Sequence, residues 1–214
     1  MRYASFTLLL LIAAAPASFA SSVYEISIDT SSLAPGSTGF IDFALNGAFP
    51  ATAAIENYAN PGGALDPASL TTQNNVTGTL PGEIRLDQGN TDFDEGLTFG
   101  TGPIAFQLTL TGTPSGNVGD VFTLTFFNSN FSGFLLTGNV NDGWLAQFQL
   151  GVDGSVAATA YQDPSGGPSF ASIAPVPEPE TFLLTGMALL WCVGRRRPRA
   201  RQRFLPAPDN ATKA

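Results

Sequence analysis

Acidic and amide side chains between residues 87 and 96 have the clearest potential for chemistry in this chain. Calcium takes about six to eight oxygen ligands, often from one glycine-containing loop. Glycine and glutamate do not fall at the EF-hand positions, so a solvated acidic loop without metal is the alternative interpretation. Ca²⁺ is the one cofactor that the sequence suggests, and its candidate ligands are Asp87, Asn90, Asp92, Asp94 and Glu95.

Two aromatic residues are candidates for carbohydrate binding, because sugar sites commonly combine an exposed ring with polar groups. Tyr58 lies among asparagine and proline residues, which predicts an exposed ring. Trp144 is the second candidate, but it alternates in phase with Ala146 and Phe148. That spacing favours a position in the core.

The composition excludes most catalytic sites. The 214 residues include no histidine and one cysteine, so histidine-based acid–base catalysis, a Cys₄ metal site and an intramolecular disulfide are all excluded. Glycoside hydrolysis needs only two carboxylates, and it remains the least favoured alternative because no catalytic motif flanks any of them. We expect a protein that is not an enzyme.

The charge is distributed very unevenly along the chain. The whole sequence has a formal charge of −8, yet residues 21–175 contain 14 carboxylates against Arg85 alone, a charge of −13. A basic surface is therefore absent from this region, and nucleic acid is not an expected partner.

Residues 21 to about 170 alternate between apolar and polar residues, as β-strands with one buried face do. In one example Ile41, Phe43 and Leu45 share a face. Asp-Gly pairs at 142–143 and 153–154 are typical of tight hairpins and predict strands at about 134–140, 144–151 and 155–161. The prediction is an all-β fold with a single antiparallel β-sandwich, either jelly-roll or immunoglobulin-like.

The N-terminus has the pattern of a secretory signal peptide. Arg2 precedes an apolar stretch that ends at Pro16, and small residues at Ser18 and Ala20 define a cleavage site after Ala20. Residues 1–20 are therefore predicted to be removed and the rest of the chain to be exported.

The C-terminus combines an extended Pro-Glu-Pro segment, an apolar run at about 182–194 and a cluster of arginines. The positive-inside rule predicts that the arginines stay cytoplasmic and that the preceding chain is exported. From Thr181 to Gly194 there are 14 residues, about 21 Å of helix against a hydrocarbon core of about 30 Å. We expect a short transmembrane helix here.

This three-part order resembles the PEP-CTERM sorting signal of Gram-negative bacteria. The resemblance implies recognition and cleavage by an exosortase, a membrane-embedded transpeptidase-like enzyme, and then release to or attachment at the cell surface. Species with this signal usually make exopolysaccharide, which is therefore an expected partner. The matching residues are Val176, Pro177, Glu178, Pro179, Thr181, Arg195, Arg196 and Arg197.

A second resemblance covers the exported region. The segments 80–86, 96–100 and 104–106, with Phe93, resemble small all-β PEP-CTERM proteins without an established activity. This resemblance implies the fold and leaves the function open.

The predicted organisation has five parts: 1–20 signal peptide, 21–163 exported β-sandwich, 164–175 linker, 176–197 sorting signal and 198–214 cytoplasmic basic tail. We expect an inner-membrane-anchored precursor that becomes a non-enzymatic surface or extracellular-matrix protein associated with exopolysaccharide. The alternative is a β-sandwich module that binds carbohydrate or calcium.

Overall fold

The computed structural model describes residues 21–47, 50–87, 89–112, 119–151 and 154–177. One compact unit ends at Val176. The predicted signal peptide, apolar helix and basic tail lie outside the described residues.

The described chain forms two antiparallel sheets of six strands each. Sheet 1 has the strand order β12-β1-β8-β3-β6-β5, and sheet 2 has the order β11-β10-β9-β2-β7-β4. The prediction of an all-β, antiparallel fold is confirmed. The strands are β1 (Ser21–Ile28), β2 (Thr38–Asn46), β3 (Ala51–Ala59), β4 (Ala64–Gln73), β5 (Val76–Gly78), β6 (Ile84–Asp87), β7 (Thr91–Thr98), β8 (Ile104–Gly112), β9 (Val121–Asn128), β10 (Trp144–Leu150), β11 (Val156–Ala160) and β12 (Ala171–Val176).

Alternating apolar residues join the two sheets through one hydrophobic core. The rings of Phe43 in sheet 2 and Phe106 in sheet 1 lie 5.3 Å apart, edge to face. Tyr24 in sheet 1 and Phe148 in sheet 2 lie 5.0 Å apart. Residues between these buried positions point outward, so each sheet has an outer face that can carry polar side chains.

The three-strand prediction for residues 134–161 is correct for β10 and β11 and wrong for 134–140. Leu136 has a φ of 61°, which interrupts an extended backbone. The Gly138 N–H is also bonded to the Gln162 carbonyl. The third strand of this antiparallel set is β9, which precedes a loop of residues 129–143.

The predicted linker 164–175 is also corrected, because part of it is a strand. Residues Ala171–Val176 form β12, the edge strand that pairs with β1, and Val176 lies opposite Val23. Pro175 is tolerated there because an edge strand leaves one side of its backbone unpaired. The compact domain therefore continues to the first residue of the predicted sorting signal.

Candidate binding cleft

A row of polar side chains crosses five strands on the outer face of sheet 2. Register pairs connect Trp144 on β10 with Thr125 on β9, Thr125 with Asp42 on β2, Asp42 with Asp94 on β7, and Asp94 with Thr71 on β4. We call this set row 1. It brings together residues from five separate parts of the sequence.

A second row runs beside the first, two residues further along β9, β2, β7 and β4 and three residues further along β10. It consists of Gln147, Thr123, Ala44, Asp92 and Gln73 in the same strand order. We call it row 2. Most members of both rows carry hydroxyl, amide or carboxyl groups, whereas Ala44 is small and leaves space at the centre.

Seven of the ten residues in the two rows line a cleft of about 250 Å³, and the other three, Thr71, Asp94 and Gln147, lie next to it. Trp144 lies at one end and Gln73 at the other, and Asn90 also lines the cleft. The floor is deep, because Thr123 and Thr125 are only 3% and 2% exposed although they belong to the outer face. The cleft is therefore a polar recess with one aromatic wall.

Three carboxyl groups form a cluster at this cleft, and two of them, Asp42 and Asp92, line it. One oxygen from each of Asp42, Asp92 and Asp94 lies within 4.8 Å of the others. Asp42 Oδ1 is buried and has no hydrogen-bond partner among the described residues. Carboxylate oxygens this close repel one another, so a proton or a cation between them is favoured.

The pKa values of two of these groups are raised. Burial raises the pKa of Asp42 to about 9, aided by a hydrogen bond with Asp92 and by the charges of Asp92 and Asp94. Burial and the charge of Asp92 raise the pKa of Asp94 to about 6, against a lowering hydrogen bond from Thr71. Near neutral pH Asp42 therefore holds a proton and can donate a hydrogen bond to a ligand.

Side chains of β4 hold the acidic end of the cleft. The Thr71 hydroxyl donates to Asp94 Oδ2 at 3.3 Å, and the Gln73 amide donates to Asp92 Oδ2 at 3.5 Å. Both bonds are long and exposed, so a ligand hydroxyl can replace either donor at little cost.

Trp144 faces the cleft because of an irregularity in β10. The register between β10 and β9 shifts between Trp144 and Ala146, and Leu145 and Ala146 are both fully buried. A bulge of this kind changes which side of a strand the next residue occupies. The expectation that Trp144 shares the core face of Ala146 is therefore wrong, while its candidacy for carbohydrate stays a prediction.

The Trp144 side chain is supported on the side away from the carboxyl groups. Its ring lies 6.4 Å from that of Tyr161, whose hydroxyl donates to Gln147 Oε1 at 2.7 Å. The Thr137 hydroxyl donates to the Trp144 carbonyl at 2.6 Å. These contacts fix the strand end that carries the indole.

The prediction of an exposed Tyr58 is wrong. Its side chain is 8% exposed, and burial together with the charge of Glu95 raises its pKa. The β3 register shifts between Glu56 and Ala59, and Asn57 has a φ of 56°. This irregularity turns Tyr58 into the core, so it cannot stack on a sugar.

The predicted calcium ligands divide into two groups. Asn90, Asp92 and Asp94 all lie at the cleft, since each either lines it or belongs to its carboxyl cluster. Asp87 lies on β6 in sheet 1, where it forms an ion pair with Arg85 at 2.8 Å. Glu95 is 1% exposed on the core side of β7. The single-loop calcium site is therefore wrong for Asp87 and Glu95.

Asp42 is the residue that the sequence interpretation missed. The signal was available in part, because Ile41 and Phe43 share the core face and Asp42 must then point outward. Nothing local shows that β2 pairs with β7. The contact of Asp42 with Asp94 depends on this distant pairing.

An aromatic patch borders the cleft on the same face. The ring of Phe131 lies 4.1 Å from that of Phe40 and 5.3 Å from that of Phe127. Phe127 is also 5.3 Å from Phe134, and Phe131 is 48% exposed. We call these four residues the phenylalanine patch. Phe40 lines a second cleft of about 510 Å³ beyond it.

Of the predicted sorting residues the structure describes only two, Val176 at the end of β12 and Pro177 after it. Within the described ranges no helix is long and apolar enough to cross a membrane. The other predicted routing residues lie outside the described residues: Ser18, Ala20, Glu178, Pro179, Thr181, Arg195, Arg196 and Arg197.

No family model, curated protein or solved structure matches this chain.

Proposed function

We propose that this chain is a non-enzymatic, exported surface or matrix protein whose β-sandwich binds carbohydrate, with exopolysaccharide as the expected partner. The observation that carries the proposal is the placement of Trp144 in one cleft with carboxyl, amide and hydroxyl groups. An aromatic ring can pack on the apolar face of a sugar while the polar groups bind its hydroxyls.

The connections favour the jelly-roll form of the sandwich. From β1 to β4 the chain changes sheet at every step, and it does so again from β6 to β9. Frequent crossing between two sheets is typical of jelly rolls. This arrangement assembles the cleft from β2, β4, β7, β9 and β10.

Charge favours an uncharged glycan. Residues 21–175 have a formal charge of −13, and the carboxyl groups of Asp42, Asp92 and Asp142 line the cleft. An anionic chain would be repelled without a bridging cation. The neutral Asp42 carboxylic acid and the threonine hydroxyls are suited to a chain of hydroxyl groups.

The test is affinity electrophoresis of the purified full chain in gels that contain xylan, mixed-linkage β-glucan, mannan or dextran. We expect one polymer to retard the wild type and Trp144→Ala to migrate as in a gel without polymer. Trp144→Phe retains an aromatic ring and is the matched control. Equal retardation of the wild type and Trp144→Ala would contradict the site.

The proposed absence of enzymatic activity is tested with the same polymers. Two carboxyl groups with separated pKa values are the equipment of a glycoside hydrolase. We expect no new reducing ends after long incubation. Their release by the wild type and not by Asp94→Asn would replace the binding proposal with a hydrolase.

Calcium binding is the second candidate function. It is favoured by the contact of Asp42, Asp92 and Asp94 within 4.8 Å and by the unpartnered Asp42 Oδ1. Calcium at about 100 times its dissociation constant would stabilise the fold by about 2.7 kcal/mol. Thermal melts with Ca²⁺ and with chelator test this, with Asp42→Asn as the control. Coincident wild-type melts would exclude the ion.

The routing proposal is that an exosortase-type enzyme processes a precursor held in the inner membrane with its C-terminus in the cytoplasm. It is supported by the order of proline, glutamate, apolar and arginine residues after Val176. The intact mass of the surface form should lack residues 1–20 and the chain beyond about Pro177–Thr181. A surface form that still ends at Ala214 would contradict this.

A further inference from the structure

The geometry of rows 1 and 2 points to an extended glycan chain as the ligand, and we infer that it lies across the strands of sheet 2. The chain would run from Trp144 on β10 to Thr71 and Gln73 on β4. This inference rests on the proposed carbohydrate function and adds the length and direction of the ligand.

The length follows from the register. Row 1 crosses five neighbouring strands, and strands in a sheet are about 4.7–4.9 Å apart, so four intervals span about 19 Å. A strip of this length is too long for a single sugar ring. The cleft has a volume of about 250 Å³, which is below the ~300–1,000 Å³ typical of pockets that enclose a drug-sized ligand. A glycan bound here would therefore lie in an open groove and would not be enclosed.

The direction follows from the neighbouring row. Beside row 1 lie Phe127, Phe40 and Gly96, again in register across β9, β2 and β7. Phe131 packs over Phe40 and Phe127 from the loop, so the phenylalanine patch closes the polar strip on this side. A chain that ran along the strands past row 1 would have to cross these rings.

The polar groups change in order along the track. Trp144 provides an aromatic surface at the β10 end, and the hydroxyls of Thr123 and Thr125 follow on β9. Ala44 on β2 leaves space above the floor beside Asp42. The carboxyl groups of β7 and the β4 residues complete the strip. Successive rings of one glycan would therefore meet different side chains, as subsites do.

The β4 end provides the test of length. Gln73 is exposed and lies at the far end of row 2 from Gln147, so Gln73→Ala removes one contact without opening the core. Gln107→Ala on the outer face of sheet 1 is the matched control, since Gln107 also occupies an outward strand position. Phe131→Ala tests the other direction.

The experiment is calorimetric titration of the full chain with a disaccharide and a hexasaccharide of each polymer in the panel above. For the polymer that binds, we expect the hexasaccharide to bind about tenfold or more tightly than the disaccharide. Gln73→Ala should weaken only the hexasaccharide, by about three- to tenfold. Trp144→Ala should abolish binding of both oligosaccharides. Phe131→Ala and Gln107→Ala should leave the affinity for each of them unchanged.

Three other results overturn the inference in distinguishable ways. Equal affinity for disaccharide and hexasaccharide would mean a single-ring site, and the carbohydrate function would stand. Weakening by Phe131→Ala without an effect of Gln73→Ala would mean that the chain runs along the strands. No heat of binding for any wild-type titration would reject the carbohydrate function itself. Melting curves of each variant establish that it is folded.

Discussion

Acidic residues are arranged differently on the outer faces of the two sheets. On sheet 1, Gln107 lies in register between Glu25 and Glu56, and its amide donates to Glu25 at 2.9 Å. On sheet 2, Asp42 lies directly opposite Asp94. One face separates its carboxyl groups with an amide, whereas the other brings two carboxyl groups into contact, and one of them takes up a proton.

This difference indicates that the carboxyl groups of sheet 2 have a function. Like charges directly opposite one another in neighbouring strands destabilise a sheet, and the cost can be avoided, as sheet 1 demonstrates with one glutamine. Sheet 2 has the costly arrangement in a cleft beside a tryptophan. Groups with perturbed pKa values in a cleft are typical of functional sites.

The largest expected effect is on the pH dependence of stability. The Asp42 pKa is about 9 in the folded protein and about 3.9 in an unfolded chain. The unfolded chain loses this proton near pH 4 and the folded protein keeps it to about pH 9. The free energy of unfolding therefore falls as the pH rises through this window, by at most about 1.4 kcal/mol per pH unit.

Asp42→Asn removes this titration. We expect the variant to have a flatter pH profile than the wild type and to be more stable near pH 8, measured by urea unfolding across the window. Glu25→Gln on sheet 1 is the control and should keep the wild-type slope. If the free energy of unfolding has the same pH dependence in Asp42→Asn as in the wild type, the Asp42 pKa is not raised in the folded protein.

A smaller effect is expected when the arrangement of sheet 2 is imposed on sheet 1. Gln107→Glu places a carboxylate between Glu25 and Glu56 and should cost about 0.2–1 kcal/mol per facing pair above about pH 5. Chemical denaturation at low and neutral pH measures it. Gln107→Ala removes the amide without adding charge. If it lowers the free energy of unfolding as much as Gln107→Glu does, the effect comes from the missing amide and not from the added charge.

The smallest effect concerns the hydrogen bond at the acidic end of the cleft. The Thr71 hydroxyl donates to Asp94 and lowers a pKa that burial and Asp92 raise to about 6. Thr71→Val should therefore raise the Asp94 pKa further, while stability changes by less than about 0.5 kcal/mol. An NMR titration of the Asp94 carboxyl carbon measures the pKa, and a fall would contradict the assigned role.

The sequence was sufficient for the regular strands and insufficient where they are irregular. Period-two alternation located the core face of β2, because Ile41 and Phe43 are separated by one outward residue. The same method placed Trp144 wrongly in the core, and the polar neighbours of Tyr58 wrongly predicted an exposed ring. A register shift lies next to each of them. An extra residue in a strand moves the neighbouring side chains to the opposite face of the sheet, and the pattern of residue types does not reveal it.

Only the part of the candidate site that lies on a single strand could be predicted from the sequence. Asp92 and Asp94 share a face because they are two residues apart on one strand, and that is visible in the sequence. Asp42 and Thr125 join them through pairings between distant segments. The order of strands in a sheet is decided by tertiary packing, which a local pattern does not encode.

The most direct test of ligand binding on sheet 2 compares the two outer faces during titration with one ligand. Backbone NMR spectra of the full chain are recorded during titration with the polymer that retards it in affinity gels. We predict shifts at the amides of Trp144, Thr125, Asp42 and Asp94, which form one row across sheet 2. Shifts confined to the row of Glu25, Gln107 and Glu56 on sheet 1 would show that the ligand does not bind to sheet 2.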